Sequence, residues 1–230
     1  MIIKKKMTED EEHAKEGSIE YKLILLGDTS VGKTCLFKKL TFGVFKEKNV
    51  STIGIDRRTF SINCDLEEKD GKINNKTILI NLIDTAGQER YKSLSKAYYK
   101  SSDAAIILYD ITEKNSFNNI NNWIESIKSS VNSNNENNYT IFLMGSKLDL
   151  VESEKKERMV LEEEAIKKCD EYKIEWGGEC SSKEFSDQKF KEIFAEFVKI
   201  IYKKLGTKKL HQESMKLANY KNKKKKSGFC

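Results

Sequence analysis

The chain has 230 residues, 38% hydrophobic and 10% aromatic, which suits one domain with a sizeable core and no need of disulfide staples. The net charge is +6, the cysteines stand scattered at 35, 64, 169, 180 and 230, and there are only two histidines and no CxxC. This pattern argues against a disulfide framework and a structural zinc site and for a reducing, cytosolic setting; no apolar run is long enough to span a membrane, and the N-terminus lacks the apolar segment of a secretory signal.

Residues 1–19 are charged and aperiodic and predict a flexible arm. The run from Tyr21 to Leu26 predicts a buried strand ending at Gly27, and residues 33–41 a helix after a Gly-rich turn. Residues 59–66 alternate, with Phe60, Ile62, Cys64 and Leu66 on one face. Asp70-Gly71 signals a turn, and Ile78, Ile80 and Leu82 continue a second alternating strand. The two predict a hairpin with a long connection. The runs at 104–110 and 140–145 read as central parallel strands. Between them Phe117, Ile120, Trp123, Ile124 and Ile127 recur at helical spacing and read as core packing. The Asn-rich stretch 132–138 predicts a loop, and 159–173 and 187–204 predict amphipathic helices. Strands alternating with helices predict an α/β fold with a mostly parallel sheet and one antiparallel edge strand.

Charge is concentrated at the end. Residues 203–230 hold ten lysines and one acid, Glu213, so this segment is +9 and the rest of the chain is −3. Such a tail suits an anionic membrane, nucleic acid or a nuclear import receptor, or is simply a solvated segment.

Gly27-Asp28-Thr29-Ser30-Val31-Gly32-Lys33-Thr34 fits GxxxxGK[ST] between a predicted strand and a predicted helix. The glycines let backbone N–H groups wrap phosphate oxygens, and the following helix aims its positive end at them. Lys33 would reach the β- and γ-phosphates, and the Thr34 hydroxyl would ligate Mg²⁺. Asp84 closes an apolar strand, where an α/β sheet places its ligand, and would support the cation through water.

At Asp84-Thr85-Ala86-Gly87-Gln88-Glu89 the sequence resembles the Ras superfamily of small GTPases, and STIGID, DTAGQERY, AYYKSSDAAIILYDIT and SFNNINNWI resemble its Rab branch. The resemblance covers about residues 20–204. It implies a Ras-like P-loop G domain over 20–204, with a six-stranded sheet and helices on both faces, and a basic hypervariable tail over 205–230. It implies that the loop from Asp28 through Cys35 holds GTP or GDP, that Phe45 covers the guanine, and that Gly87 senses the γ-phosphate. By the same resemblance Thr52 binds Mg²⁺ in the triphosphate state and Gln88 orients the attacking water, with Lys33 stabilising charge. Ser146-Lys147-Leu148-Asp149 stands where the family has NKxD. Asp149 would accept from guanine N1–H and the 2-amino group, which excludes ATP, and the Lys147 stem would lie along the base. Ser181, Ser182 and Lys183 stand in the second base-reading element.

Several positions depart from the Rab pattern. Ser146 replaces Asn. Arg57 and Ile83 replace two aromatics of the effector-reading patch, of which Tyr98 remains. Thr52 and Asp84 are 32 residues apart, and the extra length falls near 65–76, at the hairpin tip. The chain ends in a single cysteine, Cys230, which the resemblance marks for prenylation next to the basic cluster. The expected molecule is a monomeric switch that hydrolyses GTP slowly in vesicle traffic. It would meet effectors, exchange factor and GAP through 45–58 and 84–99, attach reversibly to the cytosolic face of an intracellular membrane, and bind no nucleic acid. A Rho-type signalling GTPase, to which Ser146–Asp149 and Glu179-Cys180-Ser181 are similar, and a nucleotide-bound scaffold with negligible turnover stand as alternatives.

Overall fold

The computed structural model describes residues 19–46, 55–68, 70–85, 92–131 and 139–205; residues 1–18 of the expected arm, most of the basic tail, Thr52, Gly87, Gln88 and Cys230 lie outside them. Six strands form one sheet: β1 (Ile19–Leu26), β2 (Ile55–Glu67), β3 (Ile73–Thr85), β4 (Ala104–Asp110), β5 (Thr140–Ser146) and β6 (Glu175–Cys180). Their order is β2-β3-β1-β4-β5-β6. Only the β2–β3 pairing is antiparallel; β1 pairs in parallel with β3 and β4, β4 with β5, and β5 with β6. The helices are α1 (Lys33–Phe42), α2 (Lys92–Ser101), α3 (Lys114–Asn118), α4 (Ile120–Lys128), α5 (Leu148–Glu152) and α6 (Glu162–Tyr172), followed by α7 over 187–205.

The period of two in the central strands splits the core into two layers. Tyr21, Leu23 and Leu25 of β1 face one cluster with Leu36 and Phe37 of α1 and Phe190, Phe194 and Phe197 of α7. Ile24 and Leu26 face the other, with Phe117 of α3, Ile120, Ile124 and Ile127 of α4, and Ala165 of α6. Both faces of β4 and β5 are buried along their whole length, so those strands read as unbroken apolar runs.

The hairpin differs from the expectation. The ladder runs without interruption from Ile55↔Thr85 to Glu67↔Ile73. The connection is short, closed by Glu68 N–H to Lys72 O at 2.8 Å and Gly71 N–H to Glu68 O at 2.9 Å. Gly71 has φ 78°, a conformation glycine adopts without a Cβ penalty. The extra length near 65–76 therefore lengthens the paired strands rather than a loop. Leu66 is buried in the first core layer, and the Lys76 ammonium lies 5.8 Å from the Tyr202 ring of α7.

Two further differences concern β6 and α6. The glycine-rich Glu175–Cys180 segment gives no strand signal, yet it pairs with β5 through a register shift. A Cβ on Gly177 would stand 2.9 Å from the Phe197 ring and 3.1 Å from Leu143 O, so close approach selects glycine there. Helix α6 starts at Glu162 and not at 159, because Met159 and Val160 donate their N–H groups to Ile111 O. The Glu164 carboxylate then accepts from Leu161 N–H at 2.9 Å and caps the helix.

Candidate functional site

The carboxyl ends of the strands bring the sequence-predicted residues to one edge of the sheet. Gly27 follows β1, Asp84 nears the end of β3, Asp110 closes β4, Ser146 closes β5, and Ser181 follows β6. The strand order reverses about β1, and an open α/β sheet forms its ligand crevice at such a point.

The turn after β1 is shaped by its glycines. Gly27 has φ 131°, and a Cβ there would stand 2.2 Å from the Leu108 carbonyl oxygen. Gly32 has φ 106° and Ser30 φ 68°. No side chain caps the start of α1 and no acid occupies its first turn, so its positive end is left for an anion. Lys33 is buried, and its ammonium donates to Gly27 O and Asp28 O, both at 2.6 Å. That holds a cation inside the turn, against the backbone that would wrap phosphate.

Thr34 and Asp84 meet from elements 50 residues apart: the Thr34 hydroxyl donates to Asp84 Oδ2 at 2.8 Å. Asp84 is almost fully buried, and its other oxygen, Oδ1, has no hydrogen-bond partner. Burial pushes its carboxyl up to about 6, while the Thr34 hydroxyl and the Lys33 charge pull the other way. A buried carboxylate with an unsatisfied oxygen beside a hydroxyl is a donor set that fits Mg²⁺, which takes oxygen ligands and needs only one or two from protein.

Ser146 lies buried beneath the loop. Its hydroxyl oxygen is 2.6 Å from Val31 O and 2.8 Å from Tyr109 O. Both neighbours are acceptors, and a serine has one proton to share between them. The replacement of Asn therefore keeps the tie between β5 and the phosphate loop. Lys147 has φ 67°, and its ammonium pairs with Asp110 at 2.6 Å. Asp149 accepts from the Ser181 hydroxyl at 2.7 Å. The Ser181 oxygen in turn receives Glu184 N–H at 3.0 Å and Lys183 N–H at 3.2 Å, which fixes the turn that carries Ser182. Phe45 is half-buried at the end of the segment after α1.

Five residues at this edge stand outside the sequence-predicted set. Asp110, which is buried, holds Lys147 and also accepts from Thr112; its signal is an acid closing an apolar strand, as at Asp84. Arg158 makes a two-pronged pair with Glu179 at 2.6 and 2.8 Å, tying the segment before α6 to β6. No spacing in the sequence marks that pair. Trp123, expected only to pack, does pack against the second core layer, but its indole N–H also donates to Asp28 Oδ1 at 2.8 Å. Asn119 donates to Asp28 Oδ2 at 2.7 Å.

This fold and this edge form a single-sheet α/β domain with a GxxxxGK[ST] loop at the carboxyl end of β1. The Ras family model matches residues 22–203. Among curated relatives, Ras-related protein Rab-13 of Bos taurus is 36% identical over 83% of this chain and 84% of its own length. Ras-related protein RAB1BV of Beta vulgaris is 35% identical over 84% of this chain and 81% of its own. Ras-related protein Rab-19 of Homo sapiens is 36% identical over 76% and 71%. The chain belongs to the Ras family, as a Rab-type small GTPase that binds guanine nucleotide.

Proposed function

We propose that the chain is a Mg²⁺-dependent GTP/GDP switch that hydrolyses GTP slowly and acts in membrane traffic. The observation that carries the reading is the Thr34–Asp84 contact, with the unsatisfied Asp84 oxygen beside buried Lys33. Mg²⁺ held there would supply positive charge to offset that of the phosphates. Thr34, Thr52 and, through water, Asp84 would hold it. The loop from Asp28 to Cys35 would cradle the phosphates, with Lys33 turning from its carbonyls toward them. Ser181 holds the Asp149 carboxylate by one oxygen, which leaves Oδ2 to accept from guanine, while Phe45 and the Lys147 stem flank the base. The turn at Ser182 and Lys183 would present backbone N–H to guanine O6.

Catalysis in this reading is positioning and electrostatics. Gln88 orients water, and Lys33 stabilises the charge that develops on the transferred phosphoryl group. Arg58 lies over the Phe42 ring at 5.5 Å; a GAP would supply the arginine finger. Gly87 and Thr52 would respond to the γ-phosphate and release on hydrolysis. Effectors, exchange factor and GAP would read segments 45–58 and 84–99. Arg57 and Arg58 of the first segment are exposed, whereas Ile83, just before the second, is fully buried, which favours partners with acidic contacts. Among the described residues no helix is long and apolar enough to cross a membrane; attachment would come from prenylated Cys230 with the basic tail.

The test is to purify the protein in Mg²⁺, denature it, and identify the released nucleotide by ion-exchange chromatography. Near one GDP or GTP per chain is expected. Protein that is empty and takes up no added GTP, or that carries ATP, would overturn the reading.

A further inference from the structure

The turn that would receive a polyanion itself carries an acid. Asp28 follows Gly27 directly, and a carboxylate turned toward phosphates would repel them. The structure turns it away. Both of its oxygens are taken by N–H donors from the other side of the sheet, Asn119 Nδ2 at 2.7 Å and Trp123 Nε1 at 2.8 Å. Hydrogen bonds to a charged acceptor are the stronger kind. The same residue also bears on the loop lysine, because the Asp28 carbonyl accepts from the Lys33 ammonium at 2.6 Å.

The donors are held from behind. Asn119 sits at the joint between α3 and α4. Trp123 lies one turn into α4, whose Ile120, Ile124 and Ile127 are buried in the second core layer. Neither donor belongs to segments 45–58 or 84–99. An indole ring held by packing and a side chain at a helix joint define one position for the carboxylate.

We propose that Asn119 and Trp123 are positioning residues that latch the phosphate loop. They hold the Asp28 carboxylate away from the bound phosphates and so set how long nucleotide stays. The inference rests on the reading of this loop as the guanine-nucleotide phosphate site. It makes α4, which lies outside the segments proposed to meet effectors but packs against α2 of the second one, a handle on nucleotide exchange.

The test is the release rate of a fluorescent GDP analogue in Mg²⁺, measured once the wild-type chain has been found to carry guanine nucleotide. Asn119→Ala with Trp123→Phe removes both donors while keeping an aromatic ring in the packing. Release should quicken by roughly tenfold or more, as expected for losing two charge-assisted bonds. Adding Asp28→Asn to that background should bring release back to within about threefold of wild type, because the freed negative charge is the cause. A structural defect would not be rescued by a neutral side chain. Trp123→Phe alone, the milder change, should give an intermediate rate, and serves if the double variant melts early. Unchanged release in a folded variant, or no recovery on adding Asp28→Asn, would overturn the latch. An empty wild-type protein would instead overturn the nucleotide-site reading on which it rests.

Discussion

The Ser146 hydroxyl oxygen lies 2.6 Å from the carbonyl oxygen of Val31, a residue 115 positions earlier in the chain. One proton is shared between that carbonyl and Tyr109 O, 2.8 Å away. Ser146→Ala leaves both carbonyls short of a buried donor, which costs about 1–3 kcal/mol. GDP release should quicken by roughly tenfold or more, as that cost falls on the nucleotide-binding conformation. Ser146→Asn, with two N–H donors, should slow release below wild type. Stopped-flow release of a fluorescent GDP analogue checks both, and equal rates in all three proteins would refute the brace.

Gln88→Leu should lower GTP turnover by at least about tenfold while leaving nucleotide content near one per chain, since the residue is assigned to the attacking water and not to binding. Single-turnover hydrolysis of preloaded GTP reads the first effect, and chromatography of the released nucleotide reads the second. Wild-type turnover in the variant would remove Gln88 from its role.

The lengthened hairpin should contribute to stability through one residue in particular. Leu66 is 1% exposed and Ile73, near the same tip, is 69% exposed. Leu66→Ala should cost about 2–4 kcal/mol by opening a cavity under α7, whereas Ile73→Ala should change stability by less than about 0.5 kcal/mol. Urea unfolding of the two variants distinguishes an integral extension from a dispensable one.

Burial pushes the thiols of Cys169 and Cys180 up to about 12, and raises that of Cys64. A folded-state value above the unfolded one means that the unfolded chain loses these protons first. The stabilisation is complete below the ordinary thiol value near 8.5 and declines as pH rises from there toward about 12. Unfolding free energy should therefore fall between pH 8 and pH 10. In native protein at pH 8 these three cysteines should resist iodoacetamide, which peptide mass spectrometry detects; rapid native labelling at Cys169 or Cys180 would contradict their burial.

Cys230→Ser should move the protein from the membrane fraction to the soluble fraction, and the wild-type C-terminal peptide should carry a prenyl mass. One lipid chain is marginal alone and needs the lysine cluster 223–226 as its second signal, so charge reversal there should weaken attachment too. Unchanged membrane localisation of Cys230→Ser, or nuclear enrichment of unmodified protein, would favour another use of the tail.

Much of this molecule is legible in local pattern. The GxxxxGK[ST] run at Gly27–Thr34, the alternation in β2 and β3, and the continuous apolar runs of β4 and β5 each state their element within about ten residues, because strand period and turn chemistry are local properties. The same locality marks Asp84, Asp149 and Ser181 as candidates by motif. What local pattern does not carry are relationships across the sheet. That Ser146 still ties down Val31, that Asp28 is held by Asn119 and Trp123, and that Arg158 clamps Glu179 depend on contacts between residues 21 to 115 positions apart. Strand β6 is hidden for the same reason: its glycines weaken intrinsic strand propensity, and the approach of Phe197 from α7 that requires Gly177 exists only once the helix has packed. The hairpin tip reads as loop because Asn and Lys obscure the alternation there, and pairing with the opposite strand decides it instead. Periodicity assigns residues to faces, and only the packed sheet determines which distant donor meets which buried acceptor.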